Sequence, residues 1–285
     1  MRLDDERESS NVEDRRGGGI GLPGGRGGLG LGGIVLALVV SYFTGINPMT
    51  LLGLLDQAPT QVSAPAHRPP ADDQAARFVS KVLASTEDTW RDIFRANGKT
   101  YEEPRLVLFS GATPTACGTG QTAMGPFYCP GDHKVYIDLS FYRELQERFH
   151  APGEFAQAYV IAHEIGHHVQ TLLGTMAEVD DQRSSLSKKE LNRLTVRLEL
   201  QADFLAGVWA HHAQRTKDIL EQGDIEEGLN AAAAVGDDRL QKMQTGQVVP
   251  DAFTHGTSEQ RVRWFTQGFK TGDLRQGDTF HTREL

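Results

Sequence analysis

The sequence predicts an α+β, mainly helical domain with a small sheet, preceded by one transmembrane helix. Three observations carry that expectation. Long segments in the second half repeat apolar residues at helical spacing, and two open on capping boxes, Ser187 with Glu190 and Thr257 with Gln260. Short segments near the middle, "RLVLF" (105–109) and "KVYIDLS" (134–140), have the apolar runs and alternation of strands. Residues 29–55, "LGLGGIVLALVVSYFTGINPMTLLGLL", carry no charged side chain.

Taken in order, residues 1–28 are expected to be a disordered cytoplasmic tail, because "RRGGGIGLPGGRGGLGLGG" (15–33) is a low-complexity glycine tract. Residues 29–55 follow as the membrane anchor. A hydrocarbon layer of roughly 30 Å needs about 20 helical residues, which this run supplies. It is apolar all round, whereas a core helix shows a polar stripe. A cleaved signal peptide would carry small residues just after the run, and the nearest, "SAPA" (63–66), lies well downstream. Arg15, Arg16 and Arg26 precede the run, and no Lys or Arg follows it until Arg68. The N-terminus is therefore expected inside and the rest on the outer, extracytoplasmic side of the cell membrane. Residues 56–71 read as a Pro- and Ala-rich linker, 72–270 as the folded domain and 271–285 as a C-terminal tail.

Inside the domain, residues 72–97 read as a helix stopped by "NG". The strands at 105–109, "GPFYC" and "KVYIDLS" come next, then a helix carrying Phe141, Leu145 and Phe149. A helix over about 153–173 ends at Gly174, and a long one runs over 187–213. Residues 224–243 read as another, with Asp224 and Glu227 in capping-box relation, and 257–269 as the last. Cys117 and Cys129 lack metal-ligand spacing, and an outside compartment favours a disulfide between them. The net charge of −9, with no basic block, excludes nucleic acid as a partner.

The chemistry is concentrated in "YVIAHEIGHHVQTLLG" (159–174). His163 and His167 are four apart, on one helical face, where two imidazoles reach one metal ion. Glu164 beside them can take a proton from a water, so the segment reads H-E-x-x-H with zinc as cofactor. A third histidine ligand on the same helix is excluded, since Gln170 and Leu173 stand where that pattern requires glycine and histidine. "RLELQADFLAG" (197–207) instead offers Glu199 as third ligand, with Asp203 one turn on to hold a ligand histidine. His168 is rotated about 100° away and reads as a packing or surface histidine. His255, in a loop before the last helix, is a candidate hydrogen-bond donor to an oxyanion, and Tyr136 a weaker one. "KVYIDLS" is a candidate strand for pairing an extended peptide. His211, His212 and His281 read as surface residues.

Five segments, "ACGTGQTAMGPFYCPGDHKVYIDLSF", "YVIAHEIGHHVQ", "LELQADFLAGVWA", "GLNAAAAVGDDRLQK" and "THGTSEQRVRWFTQG", occur in that order over most of 72–270. In them the chain resembles the bacterial "putative neutral zinc metallopeptidase" family, small peptidases with one N-terminal membrane helix. The resemblance implies a zincin-like fold with a mixed sheet whose edge strand runs over the H-E-x-x-H helix. It implies His163, His167 and Glu199 on Zn²⁺, Glu164 as general base, and a peptide or protein substrate. Two other readings stay open at this level: a membrane-anchored binding module with a vestigial metal site, and a zinc amidase acting on a non-protein amide.

Overall fold

The capping boxes read at Ser187 with Glu190 and at Thr257 with Gln260 are formed. The Ser187 hydroxyl accepts the Glu190 N–H and Glu190 accepts the Ser187 N–H, and Thr257 and Gln260 exchange the same pair. These fix the starts of the two helices that pack most extensively on each other. The computed structural model describes residues 1–17 and 67–285. In chain order the strands are β1 (Val12–Asp14), β2 (Arg105–Phe109), β3 (Ala112–Thr115), β4 (Gly118–Gln121), β5 (Phe127–Cys129) and β6 (Lys134–Asp138). The helices are α1 (Gln74–Ala96), α2 (Ser140–Glu147), α3 (Glu154–Leu173), α4 (Thr175–Arg183), α5 (Lys188–Lys217), α6 (Asp224–Ala234), α7 (Asp237–Thr245) and α8 (Ser258–Thr271). Mainly helical with a small mixed sheet, the described chain is α+β, as expected.

The main sheet has the order β1-β2-β6-β5. β1 and β6 run parallel to β2, and β5 runs antiparallel to β6. β3 and β4 form a separate antiparallel hairpin. The disulfide Cys117–Cys129 ties that hairpin to the end of β5, with its Cα atoms 5.8 Å apart. Since β6 is paired on both sides, "KVYIDLS" has no free edge to offer a peptide. β5 is the edge strand on this side, and it contacts α3.

Helices α3, α5, α6 and α8 pack around Phe155, Trp209, Phe204 and Phe265, all fully buried. At the crossing of α5 and α8, Gly207 and Gly268 let the backbones touch. A Cβ on Gly207 would collide with the Phe265 carbonyl, and one on Gly268 with the Phe204 carbonyl. Gly207→Ala is therefore expected to lower stability by about 3 kcal/mol through overpacking, against the gain of about 1 kcal/mol alanine usually brings to a helix. Urea denaturation tests this, and an unchanged midpoint would mean that the two helices part at no cost.

Several expectations need correction. Residues 1–17 are no free tail: β1 is a member of the sheet and Leu3 and Val12 are buried in the core. The expected helix over 224–243 is broken between Ala234 and Asp237, because the Asp237 carboxylate turns to bind the amides of Thr254, His255 and Gly256. Asp224 and Glu227 form no capping box. Asp224 accepts the Glu221 N–H, and Glu227 reaches across to the Phe155 N–H at the start of α3. The C-terminal residues also pack on the domain: Thr279 is fully buried and donates to the Arg197 carbonyl at 2.6 Å. His211 and His212 donate to the carbonyls of Phe269 and Gly272, tying α5 to the end of α8, while His281 is exposed. No helix among the described residues is long and apolar enough to cross a membrane. The expected anchor over 29–55 lies outside the described residues.

Candidate metal centre

The middle of α3 is buried and polar at once: His163, Glu164, His167, His168 and Gln170 all lie inside the molecule. Such groups need partners, and α5 supplies most of them. The two helices approach closely at Gly166, where a Cβ would stand 2.9 Å from the Ala202 carbonyl oxygen. That contact brings the turn holding Glu199 and Asp203 against the turn holding the histidines.

His163, His167 and Glu199 meet with one donor atom each, all within 4.8 Å of one another. Glu199 lies 3.2 Å from His163 Nε2 through Oε2 and 3.5 Å from His167 Nε2 through Oε1. Donors held about 2.0–2.1 Å from a tetrahedral zinc stand about 3.3 Å apart, so the donor set fits that ion. Both rings are turned the same way by their other nitrogen. His163 Nδ1 donates to Asp203 Oδ1 at 2.9 Å, and His167 Nδ1 donates to Gln170 Oε1 at 2.8 Å. Each hydrogen bond leaves Nε2 as the metal-facing atom. Gln170 is itself fixed, donating to the Leu198 carbonyl and to Gln201.

Asp203 is fully buried, and its charge is met from three sides. Arg261 grips it with both edges, Nε to Oδ2 at 2.8 Å and Nη2 to Oδ1 at 2.9 Å. Tyr159 donates to Oδ1 at 2.5 Å, and the His163 ring completes the set. Burial favours its neutral form, yet Arg261 and His163 hold its carboxyl down at about 2. Burial also opposes charge on His163, but Asp203 and then Glu199 raise the imidazole to about 10. Burial pushes Glu164 above the ordinary carboxylate range, and the two histidines offset this only in part. Glu199 is held well below that range by His167 and His163, despite its own burial. Three carboxylates around two imidazoles make a site built for positive charge, where protons and a cation compete.

The metal-facing groups open onto a cleft of about 660 Å³ that includes Glu164, Phe127, Tyr128 and His255. His255 sits there because Asp237 Oδ2 accepts three consecutive amides, Thr254, His255 and Gly256, at 2.7, 2.6 and 3.0 Å. The His255 ring is half exposed at the cleft wall, so only partial desolvation opposes its charged form, and its contact with Asp237 and the nearby Glu199 raise its pKa. Tyr136 is elsewhere, stacked on Phe127 in a second cluster with its hydroxyl on Asp132 at 2.7 Å. His168 faces away from the metal donors. It is fully buried between the Glu102 carbonyl and the Tyr128 hydroxyl, and burial lowers it to about 4.

Sequence reasoning missed Gln170, Tyr159, Arg261 and Asp237. Gln170, three residues after His167, and Tyr159, four before His163, carried a signal: polar atoms on the metal-facing side of an apolar helix.

The profile of one family, described as "Putative neutral zinc metallopeptidase", matches residues 1–280. The chain is 52% identical over 290 aligned positions to "Uncharacterized protein YpfJ" of Escherichia coli K12, covering 98% of this chain and 99% of that protein. It is 40% identical over 221 positions to "Uncharacterized protein Mb2605" of Mycobacterium bovis, covering 74% of each. No solved structure matches. With a match over nearly its whole length and a His-His-Glu donor set in place, this chain belongs to the "Putative neutral zinc metallopeptidase" family.

Proposed function

We propose that the protein is a membrane-associated zinc peptidase that hydrolyses peptide bonds in the cleft between β5, α3 and α5. The observation that carries this is the three-residue donor set opening on a cleft beside a buried carboxyl, Glu164. Among the described residues three side chains converge, where a purely structural zinc site would be closed by four. His163, His167 and Glu199 would hold the ion. When bound, zinc acidifies water and polarises a carbonyl.

The chain's own residues then have separable tasks. Glu164 takes a proton from the attacking water and returns it to the leaving amine. Its raised proton affinity suits both halves of that exchange. His255, held by Asp237, donates a hydrogen bond to the developing oxyanion from the cleft wall. Asp203 and Gln170 keep the two ligand rings in register. Among the described residues β5 pairs only with β6, and its other edge offers backbone groups to an extended peptide. The charge-free run over 29–55 supports the reading that these substrates lie near a membrane.

The first test is zinc per chain in the full-length protein and in Glu199→Ala, measured by elemental analysis after dialysis. About one zinc per chain is expected in the parent, with affinity falling by 100-fold or more on loss of a ligand carboxylate, roughly 3 kcal/mol. Unchanged binding in the variant would remove Glu199 from the donor set.

A further inference from the structure

The N-terminal segment is joined to the domain by contacts that a membrane cannot interrupt. β1 pairs with β2 in register, Val12 opposite Leu106 and Asp14 opposite Leu108. Asp14 also pairs with His67: the Asp14 N–H donates to the His67 carbonyl at 2.8 Å, and the His67 N–H returns the bond at 3.1 Å. Residues 14 and 67 therefore touch, although the apolar run over 29–55 lies between them in sequence.

The attachment has chemical content beyond the ladder. Glu87 of α1 is 1% exposed, and among the described residues the hydrogen-bond partners of its carboxylate all come from the N-terminal segment. Arg7 Nη2 reaches it at 2.7 Å, Ser9 Oγ at 2.5 Å and Asn11 Nδ2 at 2.8 Å. Glu13 answers Arg105 and Lys134 from the neighbouring strands at 3.0 Å each. The terminal ammonium of Met1 meets Glu221 at 2.9 Å and Glu154 at 3.3 Å. Without residues 1–17, Glu87 would be a buried charge with no partner and β2 would have a bare edge.

We infer that residues 1–17 and the domain lie on the same side of the membrane. A single membrane crossing between residues 17 and 67 would set them on opposite sides of roughly 30 Å of hydrocarbon, whereas Asp14 and His67 are hydrogen-bonded to each other. An exchange of N-terminal segments between two copies would not relieve the conflict, because both segments would sit on the wrong side. Arg16 and His67 are the last and first described side chains on either side of the run, and they stand at one corner of the domain. Arg16 there is paired with Asp14 and Asp73 at 2.6 and 2.7 Å. The expected arrangement, N-terminus inside and domain outside, is replaced by one in which both are outside, the compartment that favours the Cys117–Cys129 disulfide. This inference does not depend on the peptidase reading.

The test uses the full-length chain in spheroplasts, with a membrane-impermeant maleimide. Ser10→Cys and Lys99→Cys each place one thiol on an exposed residue whose side chain has no hydrogen-bond partner among the described residues, and the native cysteines are bonded to each other. Both variants are expected to label before lysis, to equal extents. Labelling of Lys99→Cys before lysis and of Ser10→Cys only after it would overturn the inference. Asp14→Cys with His67→Cys gives a second readout. A cross-link forms in the membrane-bound chain if the two strands meet there, and free thiols at both positions would count against it.

Discussion

Glu164→Gln is expected to keep zinc at the parental level and to lose about a thousandfold in kcat, or about 4 kcal/mol of transition-state stabilisation. The substitution is nearly isosteric, so the buried middle of α3 can keep its packing. Glu164 is outside the group of His163, His167 and Glu199, and its loss subtracts no metal donor. It lies in the same cleft as those residues and is 8% exposed, so its carboxyl faces the space a substrate would occupy. An amide there can still hydrogen-bond water but cannot accept its proton. Paired measurement of zinc content and of hydrolysis on a mixed peptide library separates the outcomes. A variant that stays active removes Glu164 as the base, and one that loses zinc makes it a ligand.

The legible part of this site is the part that one helix encodes. His163 and His167 at a four-residue spacing in an apolar run can be placed on one face without any tertiary information. Glu199 and Asp203 could be read next, because they repeat that spacing on a second helix and carry charge where the surroundings are apolar. What escaped needs the packing of helices far apart in sequence. Arg261 sits in "TSEQRVRWF", an ordinary amphipathic helix start, and nothing local says that it is buried against Asp203. β1 escaped for a related reason. "VED" is short and acidic, a poor strand by propensity. It is ordered because Arg105 and Lys134, on strands distant in the chain, supply the opposite charge to Glu13. The glycine tract beside it pointed toward disorder, and that composition ended the reading one segment too early.

The break in the helix over 224–243 has the same origin. "GLNAAAAVGDDRLQK" has good helix formers on both sides of Gly236, and one glycine costs only about 1 kcal/mol. The deciding interaction is Asp237 with three amides of the loop at 254–256, which no helical pattern reveals. That bond set matters to function because it positions His255. The structural cost of one break thus serves the cleft, as expected where local rules yield to a site.

Arg261→Met is expected to destabilise the fold by about 3–5 kcal/mol, since it leaves Asp203 as a buried charge without its main partner. Both groups are almost wholly inaccessible, with Asp203 at 0% and Arg261 at 3% exposure, so water cannot substitute. Methionine fills much of the same volume, which keeps a cavity from dominating the result. The pH dependence distinguishes charge from packing. In the parent, Asp203 is held at about 2, below the ordinary 3.8, so its contribution is intact above about pH 4 and is lost as pH falls toward 2. Without Arg261 the desolvated carboxyl moves upward, and the loss of its ionised form begins at higher pH. Urea unfolding with chelator present, from pH 4 to 7, is expected to show the variant's deficit shrinking toward acid as Asp203 takes a proton and becomes neutral. A deficit independent of pH would assign the effect to packing alone. Addition of Asp203→Asn to Arg261→Met removes the stranded charge and is expected to recover most of the stability. It should leave zinc affinity reduced by 10- to 100-fold, roughly the worth of an oriented ligand histidine. Stability and metal affinity recovering together would mean that Asp203 does not orient His163.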